Sequence, residues 1–173
     1  MGKLNKLINN ISEIAYRNEQ QYGGCSQCVI SGFKEVFCSK IHDDVFKAAT
    51  GFAGGIGLTG NTCGALTGGV MVLSIFLGRE YNNFADTKKV RFKSYKLSKK
   101  LTDRFEEEYG STICYNIQRK IMGKAYNTWD KQQYNEFLKA GGHDDKCPSV
   151  CANAAKWIME ILLEEGLLKE ENK

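Results

Sequence analysis

The chain has 173 residues and a formal net charge of +4, with 42% hydrophobic and 25% charged residues. These values exclude a disordered, low-complexity or collagen-like chain and are typical of a soluble globular domain. Its seven cysteines are sparse and odd in number, which excludes a fully paired secreted disulfide framework, so we expect reduced thiols, some of which take part in chemistry.

The N-terminal residues predict an amphipathic helix. Leu4, Leu7 and Ile11 recur at intervals of three and four residues over the first twenty positions, and Gly23 and Gly24 end the pattern. Polar residues interrupt this segment too often for the apolar block of a secretory signal. We therefore expect a cytoplasmic protein.

Further helical patterns follow along the chain, and alternating strand patterns are essentially absent. The patterned segments are residues 25–37, 42–49, 63–77, 87–109, 112–122, 130–138 and 148–163. No internal repeat and no Pro-rich or Ser-rich linker divides the sequence. The sequence predicts an all-α fold, in which residues 1–173 form a single-domain bundle of six to eight helices.

A long uncharged segment runs from Ala48 to Gly78. Its first part, GFAGGIGLTGNTCG, contains six glycines, which do not form a stable lipid-facing helix. The apolar remainder, residues 65–77, is too short to span a bilayer. We expect no membrane insertion and interpret residues 65–77 as a buried central helix.

The positive charge is local. Residues 79–104 contain nine Lys or Arg and three Asp or Glu, a balance of +6, so the rest of the chain sums to −2. Val90, Leu97, Leu101 and Phe105 form a narrow apolar stripe with lysines around it, which is typical of a solvated surface helix. No aromatic stacking pattern accompanies these lysines, so we expect no nucleic-acid partner.

Four cysteines fall where predicted helices begin. Each one follows a glycine-containing stretch or precedes a proline: Cys25, Cys63, Cys114 and Cys147. Ser111 is the expected N-cap before Cys114, and Pro148 at the first helical position would make Cys147 an N-cap. Unpaired N–H groups and the positive end of the helix dipole lower a thiol pKa and stabilise anions.

An iron-sulfur cluster held by four thiolates is an anion that such N–H groups favour. Four helix starts that converge on one point would therefore provide N–H groups around such a cluster. The other cysteines, Cys28, Cys38 and Cys151, lie inside or at the ends of helices, where a small buried hydrophobe is the favoured interpretation.

The glycine-rich stretch before Cys63 needs its own interpretation. No strand precedes GGIGLTG and no GK[ST] follows it, which argues against a phosphate-binding loop. Its glycines permit positive φ values and close backbone approach. We expect this loop to wrap N–H groups around the cysteine site.

The landmarks in chain order are GGCSQCV at 23–29, TGFAGGIGLTGNTCGALTGGVMVLSIFLG at 50–78, Cys114 after FEEEYGST, and KCPSVCANAAKWIMEIL at 146–162. This order resembles the C-GCAxxG-C-C family of redox-active proteins, although Thr62 replaces the glycine before the second cysteine. The resemblance places the four signature cysteines at Cys25, Cys63, Cys114 and Cys147. It also extends to the non-haem part of split-Soret cytochromes, which implies a 2Fe-2S cluster in preference to 4Fe-4S, in a redox carrier or sensor.

Two other functions stay open from the residues alone. A thiol-disulfide oxidoreductase would use a low-pKa Cys63, with Cys25 or Cys28 as the resolving thiol. A structural zinc protein could recruit His143 as an extra ligand. No catalytic constellation identifies an enzyme or a substrate. We expect a redox partner protein, and a homodimer is left open.

Overall fold

The computed structural model describes residues 2–168, and within them the chain forms eight α-helices and no strand. The all-α prediction is confirmed. The helices are α1 Gly2–Tyr22, α2 Cys25–Val36, α3 Asp43–Ala48, α4 Gly64–Phe76, α5 Val90–Tyr109, α6 Cys114–Met122, α7 Lys131–Lys139 and α8 Cys147–Glu164. The single-domain prediction over 1–173 includes residues 1 and 169–173, which lie outside the described part of the chain.

The core is built from α1, α2, α4 and α8, with α5 packed against α4 and α8. Each helix contributes apolar residues three or four positions apart, which lie on one face. Fully buried examples are Ile11 of α1, Phe33 of α2, Leu73 of α4 and Ile158 of α8. Burial of these faces orients the helices, so that α2, α4 and α8 all begin at the same end of the core.

Helices α2 and α4 approach each other at backbone distance. A Cβ atom on Gly68 of α4 would lie 2.9 Å from the Cα atom of Ser26 in α2, closer than such atoms can pack. Only glycine allows this approach. The contact holds the first turn of α2 against the first two turns of α4 and so sets the separation of Cys25 and Cys63.

A compact glycine-rich loop, residues 53–62, leads into α4 and is hydrogen-bonded to the start of α6. The Cys63 N–H group donates to the Thr112 carbonyl at 2.9 Å, and the Cys114 N–H group donates to the Asn61 carbonyl at 2.6 Å. These bonds flank an isolated antiparallel bridge between Thr62 and Ile113. The loop therefore brings Cys63 and Cys114 side by side.

Several predicted boundaries shift for identifiable reasons. Helix α6 begins at Cys114 with Ile113 as its N-cap, so the prediction of Ser111 as N-cap is wrong. The Ser111 hydroxyl instead accepts the Ile113 N–H group, one residue before the helix. A π-helical turn over Gly142–Lys146 runs directly into α8, so Cys147 is a helical residue and not the N-cap. In both cases the cysteine stays in the first turn of its helix.

The basic helix α5 begins at Val90 instead of residue 87. The buried Asp86 carboxylate accepts the N–H groups of Val90 and Arg91 and fixes the start of the helix there. Leu97, Leu101 and Phe105 are buried, as the predicted apolar stripe requires. No helix within residues 2–168 has both the length and the apolar character needed to cross a membrane.

The Gly68→Ala substitution tests the close approach of α2 and α4. We expect it to lower the free energy of unfolding by about 1–3 kcal/mol, because the new methyl group meets the Ser26 backbone. Urea denaturation measures the effect. Gly51→Ala is the matched control, since its Cβ atom would meet nothing within 4 Å, and should change stability little. Equal stability of both variants would contradict the packing account.

Candidate functional site

The four cysteines predicted as site residues lie around one cavity of about 330 Å³, here called the cysteine cavity. Three of them are the first residues of their helices: Cys25 of α2, Cys114 of α6 and Cys147 of α8. Cys63 is the N-cap of α4. The structure therefore brings the starts of four helices together, and each presents a thiol to the same space.

Backbone N–H groups face the thiols, as the loop and helix starts led us to expect. The Gly54 N–H group of the glycine-rich loop and the Ser26 N–H group act on the Cys25 sulfur, and both lower its pKa. The N–H groups of Ala65 and Leu66, in the first turn of α4, do the same for Cys63. Such donors offset negative charge on a sulfur atom.

Gly64 makes room for one of these sulfurs. Its Cα lies so close to the Cys25 sulfur that a side chain at this position would overlap the thiol. A Cβ atom on Gly64 would also lie 2.9 Å from the Phe52 carbonyl oxygen. The glycine that follows Cys63 is therefore a steric requirement of the site.

Burial dominates the acidity of the thiols. It raises the pKa of Cys63 and of Cys114 to about 12, and it also raises the pKa of Cys25 and of Cys147 well above the ordinary value of 9.0. Neighbouring cysteines add to the rise because thiolates repel one another. The N–H groups at the helix starts lower the pKa of Cys25 and Cys63, as predicted, but desolvation outweighs them and the net pKa is raised.

Glu19 is a site residue that the sequence analysis missed. Ile11, Ala15 and Glu19 follow one another at intervals of four residues and so lie on the same face of α1. The Glu19 residue is 2% exposed. Its Oε1 atom is 3.1 Å from His143 Nδ1, while its buried Oε2 atom has no hydrogen-bond partner. Its charge raises the pKa of the surrounding thiols. Position on the apolar face of α1 was the available signal.

His143 reaches the cavity from the π-helical turn before α8. Its ring lies so close to Gly23 that a Cβ atom on that glycine would be 3.3 Å from the ring. The ring also meets the Phe137 ring edge-on, with 5.1 Å between the centroids. With Nδ1 directed at Glu19, His143 lines the cavity as part of a hydrogen-bonded pair.

Gln118 is a second residue that the sequence analysis missed. Its Nε2 atom donates to the Cys114 sulfur at 3.5 Å, and its Oε1 atom accepts the Tyr126 N–H group at 2.9 Å. Both bonds are buried. Gln118 therefore orients the Cys114 thiol and fixes the chain that leaves α6 beside it. Its position one turn after Cys114 on the same helix face was the only sequence signal.

The remaining cysteines divide into two kinds. Cys28 and Cys151 are buried one turn after Cys25 and Cys147, and their thiols face the carbonyls of Gly23 at 3.0 Å and Cys25 at 3.7 Å. Cys38 is exposed in the turn after α2, so the interpretation of Cys38 as a packed core residue is wrong. All seven cysteines are free thiols.

In residues 2–168, no three Cys, His, Asp or Glu side chains stand close enough together to hold a single metal ion as they are placed. The thiols that line the cavity must therefore turn toward its centre to share one ion.

The sequence from residue 24 to residue 161 matches a protein family described as "Putative redox-active protein (C_GCAxxG_C_C)". The chain belongs to the C_GCAxxG_C_C family. The match covers α2 through most of α8 and includes all four cysteines at the helix starts. No curated protein and no solved structure matches the chain.

The raised thiol pKa values predict a specific loss of stability in alkali. A thiol of ordinary pKa, 9.0, ionises in the unfolded chain while the folded protein keeps the Cys63 and Cys114 protons up to about pH 12. The free energy of unfolding of the reduced, metal-free protein should therefore be highest below pH 9 and fall as the pH rises toward 12. Urea denaturation across this range measures it.

The double variant Cys63→Ser/Cys114→Ser should lose part of this dependence on pH, whereas Cys38→Ser should keep the wild-type slope. Identical slopes in all three proteins would show that the buried thiols do not cause it.

Proposed function

We propose that the protein binds an iron-sulfur cluster through Cys25, Cys63, Cys114 and Cys147 and serves in electron transfer or redox sensing. The observation that carries the proposal is the convergence of four helix starts, which places four cysteines around one cavity. Membership of a redox-active family supports the same conclusion. Cysteine thiolates are the usual ligands of iron-sulfur clusters.

The donor set of the cavity fits such a group. Iron replaces the thiol protons, so the high pKa values of the buried thiols favour a bound cation over bare thiolates. The N–H groups of Gly54, Ser26, Ala65 and Leu66 then face sulfur atoms that carry negative charge. A bound cluster would supply a one-electron redox couple.

Two features of the chain act in opposite directions on that couple. The N–H donors would stabilise the negative charge that reduction adds and so raise the reduction potential, while the negative charge of the buried Glu19 carboxylate would lower it. Gln118 holds the Cys114 sulfur through its Nε2 atom and limits its movement. The chain thus positions the sulfurs and adjusts the electrostatic potential around them.

We favour a 2Fe-2S cluster over 4Fe-4S because of the resemblance to the non-haem part of split-Soret cytochromes; either cluster type takes four thiolates. We also propose a redox partner protein, which would exchange single electrons with the cluster. Among the alternatives, a thiol-disulfide oxidoreductase is disfavoured by the rise of the Cys63 pKa to about 12, since the thiolate is the nucleophile. Four thiolates also suit structural zinc, which metal analysis distinguishes.

Substitution of one ligand tests the assignment. Cys63→Ser should abolish retention of iron and sulfide, because it removes one of four thiolates from the cavity. Cys38→Ser is the matched control, since Cys38 is exposed and does not line the cavity, and should retain the wild-type content. Iron and sulfide are measured on both variants purified without oxygen. Equal content in the two variants would refute the ligand assignment.

A further inference from the structure

An exposed segment with two aromatic rings connects α4 to α5. Residues 79–85 are all exposed, and they include Tyr81 at 89% and Phe84 at 66%. The single 3₁₀ turn Tyr81–Asn83 makes no extensive contact with any helix of the described residues. The segment therefore projects from the bundle and offers both rings to the surroundings.

The first turns of α5 continue this surface. Phe92 and Tyr95 are 49% and 59% exposed, and their rings meet edge-on with 5.8 Å between the centroids. Phe92 lies on the side of α5 opposite Leu101, which is fully buried in the core. The exposed side chains of residues 79–96 are here called the basic aromatic patch.

Positive charge is concentrated in the same patch, where residues 79–96 contain six Lys or Arg and two Asp or Glu. Farther along α5 the cations are paired: Lys99 with Asp103, and Lys100 and Arg104 with glutamates of α8. In the part of the chain that the structure describes, no carboxylate pairs with the four exposed lysines of the patch, which are Lys88, Lys89, Lys93 and Lys96. The positive charge that α5 leaves without a partner therefore lies beside the exposed rings.

Two arginines cover faces of these rings. The Arg79 guanidinium lies 4.0 Å from the centroid of the Phe84 ring, and the Arg91 guanidinium lies 4.6 Å from the centroid of the Phe92 ring. The buried Asp86 carboxylate binds Arg91 at 3.2 Å and holds it in place. Nucleic-acid bases stack on open ring faces. The arrangement therefore disfavours a nucleic acid, although the charge alone would suit one.

A membrane surface with anionic lipids fits the patch better. Clusters of about four to eight Lys or Arg attract anionic headgroups, and aromatic rings are favoured at the depth of the headgroups. An acidic protein would have to provide recesses for the projecting rings of Tyr81 and Phe84. A fluid layer of lipids admits such rings without a preformed recess.

We propose that the basic aromatic patch adsorbs to a membrane surface that carries anionic lipids, with Tyr81 and Phe84 among the headgroups and the lysines against the lipid phosphates. The patch lies far from the cysteine cavity: Ser94 meets Ser74 near the end of α4, whereas α4 begins beside Cys63. Adsorption therefore leaves the cavity facing away from the membrane, and the inference does not depend on a bound cluster.

Co-sedimentation of the full chain with lipid vesicles tests the proposal. We expect the partition coefficient to be at least about tenfold higher for vesicles that contain phosphatidylglycerol than for pure phosphatidylcholine, and to fall as salt is added. Lys93→Gln/Lys96→Gln should lower the coefficient by at least about tenfold, because each lysine near an anionic surface contributes about fivefold. Lys131→Gln/Lys139→Gln is the matched control, since it removes the same charge from exposed positions on α7, and should bind as the wild type does.

Tyr81→Ala/Phe84→Ala keeps the charge and should weaken binding to the anionic vesicles by at least about tenfold, because two rings no longer leave water. Urea denaturation checks that these exposed substitutions leave the fold intact. Equal partition into both kinds of vesicle, or equal losses in the patch and control lysine variants, would overturn the proposal. Tighter binding of polyglutamate or single-stranded DNA than of vesicles, at equal concentrations of negative charge, would assign the patch to an acidic protein or a nucleic acid and would also overturn it.

Discussion

The close contact between α2 and α4 determines the rest of the site. Because Gly68 admits the Ser26 backbone and Gly64 admits the Cys25 sulfur, two helix starts meet at a distance that no larger residue would allow. The glycine-rich loop then adds α6 through the paired bonds of Cys63 and Cys114, and α8 packs against both α2 and α4. Four thiols around one cavity are a consequence of this backbone packing.

This arrangement concentrates opposing electrostatic effects. Burial and the Glu19 carboxylate disfavour thiolates, as the raised pKa values show, while the N–H groups at the helix starts favour them. A cationic group would resolve the conflict by neutralising the sulfurs once the thiols have turned toward it.

The helices and the four cysteines at their starts could be predicted from sequence, because three-to-four-residue periodicity, glycines and a proline are local signals. Glu19 and Gln118 could not be assigned to the site from sequence, since their roles depend on which helices meet. The position of Glu19 on the apolar face of α1 signals burial, but it does not signal contact with the cysteines. Cys38 was misjudged for a related reason: α2 ends at Val36, two residues before it, so Cys38 leaves the packed face. Thiol acidity also required the structure, because the depth of burial outweighs the helix dipole.

The most direct test of the account is a combined analysis of iron, acid-labile sulfide and the visible spectrum of wild-type protein purified without oxygen. The account predicts iron and sulfide in equal, stoichiometric amounts per chain, with absorption from thiolate-to-iron charge transfer. Stoichiometric zinc, or protein that stays metal-free after a controlled reconstitution, would contradict it.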